Sequence, residues 1–356
     1  MKGTMLSIRA GKQAYQQIKE QGLQADDVKL LLGASGGPKW FVLQRLDRYL
    51  FGDWFAQRQT PLDTLGTSAG AWRFASLGQD DPVEASERFC QLYRTQEYSA
   101  NPDRHEITAE AVALLEKYVP QHAVSQILGQ TAVRQHMIVA RSRGWSAHED
   151  RRQALGLLAA ASLNSVNRQW LKAFYQRVIF HHPASDCGFM RGWTEFNTQF
   201  VSLTHENFRS ALLATGAIPL VLDGVKNIPG APAGLYRDGG ITDYHFDVDL
   251  SKVNGLVLYP HFSQQVVPGW FDKHLRWRRT YGERWPNVVL LTPTDEFLAS
   301  LPYGKIPDRK DFAQLPVAER KRYWKQAVEQ GQRLADEFAE AVESGTIRHR
   351  VEQWTA

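Results

Sequence analysis

Three short segments carry residues whose types and spacing could do chemistry. The first is Gly66-Thr67-Ser68-Ala69-Gly70, with serine between two glycines. That spacing suits a sharp strand-to-helix turn that lifts a hydroxyl into a cleft, with glycines two before and two after it so that backbone packs close. A helix starting at Ala69 aims its positive end at any oxyanion that develops there. The second segment is Gly33-Ala34-Ser35-Gly36-Gly37-Pro38-Lys39, a run of small residues whose backbone N–H groups can form an anion-binding nest. The third is Asp238-Gly239-Gly240, a carboxylate followed by two residues that keep the backbone low around it.

A serine nucleophile needs a base and an oxyanion hole. The glycine turn at 33–37 is a candidate for the hole. As a phosphate loop it fails twice, because Pro38 and Trp40 stand where glycine and Ser/Thr are required, and Ser35 breaks a dinucleotide fingerprint. The base is open between two kinds of group. His245, His261, His274 and His349 lie late enough to complete a Ser-acid-His set, but none sits in a glycine-rich loop. Asp238 follows the strand-like Leu235-Tyr236-Arg237 and precedes two glycines, and is the more persuasive; Asp223-Gly224 has a single glycine.

These segments must be positioned by elements. Val28 to Leu32 reads as a strand buried on both faces, because its apolar residues crowd rather than alternate. The helix after Pro38 carries Trp40, Leu43, Leu46 and Leu50 at spacings of three and four. Leu62 to Leu65 leads into the serine turn, and a helix follows to Leu77. Strand, glycine turn, helix thus occurs twice in succession, the pattern of a parallel α/β sheet. Further helices are expected over 10–22, 82–130 with a break near 99–102, 147–174, 207–215 and 317–342. Further strands are expected near 135–140, 178–180, 200–203, 235–237, 255–259 and 287–291.

The three segments, in this order, resemble the patatin-like phospholipase family. Gly36 and Ser68 are 32 residues apart, and Ser68 and Asp238 are 170 apart. Ala214-Thr215-Gly216-Ala217-Ile218-Pro219 is similar to the small-residue stretch that precedes the family's aspartate motif. The resemblance spans about 28–247. It implies a three-layer α/β/α sandwich with a mainly parallel sheet, enlarged by a helical insertion over 80–200. The whole chain, 1–356, is then one domain, with 250–356 a C-terminal extension completing it. Ser68 becomes the nucleophile and Asp238 its sole partner, with the Gly36 and Gly37 N–H groups as oxyanion hole. Gly33, Lys39, Gly66, Gly70, Gly239 and Gly240 support the motifs. The turn departs from the family's run of three glycines, since Ala34 and Ser35 come first. The activity implied is a phospholipase A-type lipid acyl hydrolysis through an acyl-enzyme, with neither metal nor cofactor. Alternatives on the same pair are an esterase, thioesterase or polyester depolymerase; a non-enzymatic lipid-binding scaffold is argued against by the intact Ser68 and Asp238.

Composition bounds the remainder. The chain has 356 residues, 43% of them hydrophobic and 22% charged, enough for a core without disulfide or metal support. Two cysteines, Cys90 and Cys187, exclude a disulfide framework and fit a reducing cytoplasm. Forty-two cations against 38 acids, with no long basic run, make no case for nucleic acid. The N-terminus lacks the apolar core of a secretory signal, and the most apolar stretch, Ala154 to Leu163, is too short to span a membrane. The resemblance, not composition, implies a lipid or acyl-ester substrate as partner, with peripheral membrane contact in reach. Two aromatic groups stand out. Trp170, Phe174, Tyr175, Phe180, Trp193, Phe196 and Phe200 are expected as core, or more sharply as an acyl-chain wall. Trp270, Phe271, Trp277, Arg278, Arg279, Tyr281, Arg284 and Trp285, with Lys273 and Arg276, are expected as ordinary packing or as a basic lipid-facing patch opposed by Asp272 and Glu283.

Overall fold

The computed structural model describes residues 3–279 and 284–354. Its strands in chain order are β1 (Leu6–Ala10), β2 (Val28–Gly33), β3 (Leu62–Gly66), β4 (Val133–Ser142), β5 (Tyr175–His181), β6 (Gln199–Ser202), β7 (Val225–Lys226), β8 (Leu235–Asp238), β9 (Leu256–Pro260), β10 (Val288–Pro293) and β11 (Glu352–Gln353). They form one sheet in the order β11-β1-β10-β9-β2-β3-β4-β5-β6, with β8 on β4 and β7 on β8. From β10 through β4 every neighbour is parallel. Parallel strands are covered on both faces and read as unbroken apolar runs. Leu30, Leu31 and Leu32 in β2 and Val288 through Leu291 in β10 accordingly have 0% exposure. Helices cover the sheet, giving an α/β/α sandwich with separate buried clusters.

Several details differ from the sequence reading, among them that the helix expected over 147–174 ends at Val166 and gives way to a 3-10 turn, Arg168–Ala173. β1, which that reading left without an element, pairs antiparallel with β10. Its alternation of buried Leu6, Ile8 and Ala10 with half-buried Ser7 and Arg9 is short enough to pass unnoticed. The helix after Pro38 opens as a 3-10 turn, Gly37–Leu43, before the α-helix Gln44–Tyr49, yet Trp40, Leu43, Leu46 and Leu50 are all buried as the spacing requires. The late helix is two, Val317–Gln330 and Gln332–Glu343, divided at Gly331.

The stretch 80–200 supplies the helices Pro82–Arg94, Arg104–Tyr118, Gln121–Gly129 and Arg151–Val166, and also β4, β5 and β6. It is therefore woven into the sheet. The stretch 250–356 gives β9 and β10, and β9 lies directly beside β2.

β4 is the element that matters most for the site. Its first half pairs with β3, placing Gly66 opposite Met137. Beyond the end of β3 the same edge of β4 is taken by the antiparallel β8, placing Asp238 opposite Val139. Two strands that run toward each other thus end two residues apart along one shared edge.

Candidate active site

Ser68 lies just past the end of β3, at the N-cap of helix Ala69–Leu77, with φ +50° and ψ −127°. Few residues with a Cβ adopt positive φ, and surrounding structure must impose it. One constraint is steric: a Cβ on Gly70 would stand 1.9 Å from the Gly33 carbonyl oxygen, so the two glycine turns touch backbone to backbone. The Thr67 N–H donates to that same Gly33 oxygen at 3.1 Å. A third constraint is Thr215. Its hydroxyl accepts from the Ser68 N–H at 2.9 Å and donates to the Ile138 carbonyl in β4 at 2.6 Å. Behind the turn, Arg73 forms a buried ion pair with Asp47, the closest contact being 2.5 Å.

The Ser68 hydroxyl donates to Asp238 Oδ2 at 2.8 Å. The other carboxylate oxygen accepts from the Gly240 N–H at 2.7 Å, so both oxygens are fixed. Gly239 donates its N–H to the Thr215 carbonyl at 3.2 Å. Burial pushes the Asp238 carboxyl above the usual range, against the pull of Arg309, the Ser68 hydrogen bond and Gly240. The helical turn after Asp238 is anchored by Asp243, whose carboxylate accepts a two-pronged bond from buried Arg177 at 2.8 and 2.6 Å.

The departure in the glycine turn has a structural role. Ser35 donates its N–H to the Tyr244 carbonyl at 3.0 Å and its hydroxyl to Thr67 Oγ1 at 2.9 Å. Thr67 in turn donates to the Asp243 carbonyl at 3.0 Å. Ser35 therefore ties the first segment to the other two. Gly37 has φ +55°, which a side chain would strain, and it opens the 3-10 turn. Neither the Gly36 nor the Gly37 N–H finds an acceptor among the described residues, as expected at a helix start.

Two cavities meet at this point. One, of about 350 Å³, is lined by Gly37, Ser68 and a wall that includes Trp72, Phe89, Tyr98, Leu114 and Leu213. The other, of about 300 Å³, is lined by Gly36, Asp238, Lys39, Lys273, Asp308 and Lys310 among others; Ile218 and the exposed Arg309 border both. Burial, with Arg309 and Lys39 nearby, pushes the Lys273 amine down to about 7. Burial also lowers Lys39, whose ammonium lies 5.5 Å from the Phe262 ring centre.

The Ser68 hydroxyl is thus buried and bonded directly to Asp238, beside the glycine turn at 33–37 and an apolar cavity. The chain resembles the patatin-like phospholipases. No protein-family model matches it, and no curated protein matches its sequence. Among solved structures, VipD from Legionella pneumophila is 12% identical, with a TM-score of 0.39 over 95% of this chain and 71% of that one. Human GIVD cytosolic phospholipase A2 is 14% identical, with a TM-score of 0.33 over 95% of this chain and 62% of that one. Likenesses this loose say nothing of the chemistry, and the patatin-like reading rests on the residues themselves.

Several expectations fall elsewhere. None of the seven aromatics between Trp170 and Phe200 lines the cavity beside Ser68; the wall comes instead from the helices at 69–77, 82–94, 104–118 and 208–215 and from loop residues such as Tyr98. The basic patch near Trp270 does not share one face. Trp285 is fully buried, Lys273 lines the polar cavity, Arg278 pairs with buried Asp272 at 3.3 Å, and Arg279 donates to the carbonyls of Asp272, Lys273 and Leu275. Tyr281 and Glu283 lie outside the described residues. His245 and His261 are buried against each other, and burial pushes His261 down to about 3. His274 and His349 are exposed, and none of the four bonds Ser68 or Asp238. Asp223 is held by Arg104 at 3.1 Å and by His105. Thr215 and Arg309 carry no sequence signal of their role, since nothing local marks the threonine within Ala214–Pro219 as the tie, and Lys273 belongs to the polar cavity rather than to a lipid-facing patch.

Proposed function

We propose that this chain is a lipid acyl hydrolase that cleaves a carboxylic ester through Ser68 and Asp238. The observation that carries this reading is the 2.8 Å bond from the Ser68 hydroxyl to a buried carboxylate at the mouth of an apolar cavity. As Ser68 Oγ attacks the ester carbonyl carbon, Asp238 takes the hydroxyl proton. A carboxyl raised by burial is a better base for that step than an exposed one. The oxyanion forms facing the Gly36 and Gly37 N–H groups and the positive end of helix Ala69–Leu77. Collapse breaks the ester C–O bond, and Asp238 returns its proton to the departing alkoxide. Water, deprotonated by the same carboxylate, then attacks the acyl-enzyme, releasing the fatty acid and regenerating Ser68.

The divided cleft supports a phospholipid over a neutral ester or polyester. The apolar side suits an acyl chain, and the side bearing Lys39, Lys273 and Lys310 suits an anionic phosphate on the leaving alcohol. Labelling with a fluorophosphonate, followed by a panel of acyl esters, tests both parts. The expected result is labelling that Ser68→Ala abolishes, and preference for phosphate-bearing esters that Lys273→Met weakens through KM. Full hydrolysis by Ser68→Ala ends the reading. Equal use of neutral esters by both proteins moves it to a general esterase.

A further inference from the structure

The helix Arg151–Val166 carries the apolar stretch already conspicuous in the sequence, and the fold covers only one side of it. Gly156, Leu157, Ala160 and Asn164 are buried, whereas Leu155, Leu158, Leu163 and Val166 are 54%, 65%, 37% and 70% exposed. A surface helix normally confines its apolar residues to the buried stripe. Two tryptophans in the flanking turns are exposed as well: Trp145, in the preceding turn Gly144–Ala147, by 57%, and Trp170, in the following turn Arg168–Ala173, by 44%. Contiguous exposed apolar surface of this kind marks an interaction site.

Charge identifies the occupant. From Trp145 to Ser185 the sequence has five cations, Arg151, Arg152, Arg168, Lys172 and Arg177, and two acids, Glu149, which pairs with Arg237, and Asp150. Arg152, Arg168 and Arg177 are engaged with Asp150, Asp272 and Asp243. Arg151, at the start of the helix, and Lys172, in the turn after it, are exposed, with no acidic partner within 4.0 Å among the described residues. A second copy would bring like charges together. Apolar side chains rimmed by tryptophan and cations instead match the acyl, interfacial and headgroup layers of an anionic bilayer.

The helix is also fastened to the cleft. Asn164 donates to Asp272 at 2.7 Å, next to Lys273 of the polar cavity. At the other end Glu149 accepts from the Gly224 N–H at 2.8 Å, two residues from Leu222 of the apolar cavity. We propose that the exposed face of helix Arg151–Val166, with Trp145 and Trp170, docks the protein on an anionic lipid surface. The docking does not depend on the reaction at Ser68.

The test uses the full chain as Ser68→Ala, co-sedimented with vesicles of phosphatidylglycerol and phosphatidylcholine or of phosphatidylcholine alone, at low and high salt. Leu158→Glu with Val166→Glu should weaken binding about a hundredfold, and Arg151→Gln with Lys172→Gln about tenfold on the anionic vesicles only. With Ser68 restored, Leu158→Glu/Val166→Glu should still hydrolyse a water-soluble short-chain ester, showing that the fold is intact. Undiminished vesicle binding by that double variant overturns the proposal. So does its conversion of a self-associated protein to monomer when neither protein binds vesicles, which would make the face a contact between copies. Loss of soluble-ester hydrolysis in the parent would strike the reaction at Ser68 and leave the vesicle result standing.

Discussion

Thr215→Val tests whether the geometry of Ser68 is imposed from outside its own turn. The substitution keeps the shape of a side chain with 0% exposure but removes a hydroxyl that bonds Ser68 and Ile138 at 2.9 and 2.6 Å. One buried N–H and one buried carbonyl lose this partner. At about 1–3 kcal/mol for each unpaired group, the fold should lose about 2–6 kcal/mol. Freed of that bond, Ser68 can relax from φ +50°, carrying its hydroxyl away from Asp238. A displacement on the order of 1 Å costs about 10²-fold in turnover. Thr215 does not line the cavity beside Ser68, so KM should hardly move. The assay is steady-state hydrolysis of a soluble ester beside a denaturation curve, with Thr215→Ser as the rescue. Wild-type turnover in Thr215→Val, or a serine variant no better than the valine, would refute the positioning role.

Other expectations concern the acid, the nest and the glycine contact. Asp238→Asn should lower turnover by several orders of magnitude, whereas Asp223→Asn, at a site held by Arg104, should not. Because burial raises the Asp238 carboxyl, the acid limb of kcat/KM should fall above the ordinary value of 3.8, and a limb at or below it would contradict this assignment. The same shift makes the charged form costly in the fold. Asp238→Asn should therefore melt higher than wild type at neutral pH, with the gain vanishing once the wild-type carboxyl is protonated in acid. Gly37→Val places a side chain at φ +55° with its Cβ 2.9 Å from Arg309 Nε; loss of an oxyanion donor should lower kcat about 10²–10³-fold, more than the change in KM from crowding the cavity that Gly37 lines, read by steady-state kinetics. Gly70→Ala should destabilise severely, by more than about 4 kcal/mol in denaturant, because the contact at 1.9 Å is with backbone that cannot rotate away.

What the sequence made legible follows from how far each constraint reaches. The turns at 33–37 and 66–70 were readable because two backbones that touch leave room for glycine only, and that requirement is written at the contact itself. β2 and the helix at 69–77 were readable for the same local reason, as unbroken or periodic apolar runs. Lys273 and Arg309 were not, because β9 brings the late part of the chain beside β2 through a pairing that no local pattern encodes. Of the aromatics from Trp170 to Phe200, Tyr175, Phe180, Trp193 and Phe196 are core, the first of the two expected uses, and none is an acyl wall. Buried rings support β5 and β6 as readily as a cavity, and composition does not distinguish the two uses. Thr215 was hidden because a buried threonine next to glycine looks the same whether or not its hydroxyl holds a nucleophile.

The shared edge of β4 has a consequence for how this protein can change. Ser68 and Asp238 are separated by 170 residues of chain, but their spacing is set by the two-residue step from Met137 to Val139. Within that intervening chain β4 is the gauge and Thr215 a tie to it, whereas the helices that wall the cavity are cladding. Helices Pro82–Arg94 and Arg104–Tyr118, which wall the apolar cavity, can lengthen, shorten or exchange side chains without resetting the distance between hydroxyl and carboxylate. Substrate preference is thereby free to drift while the reacting pair stays where it is, and an engineer reshaping the cavity has the same freedom so long as β4 keeps its register.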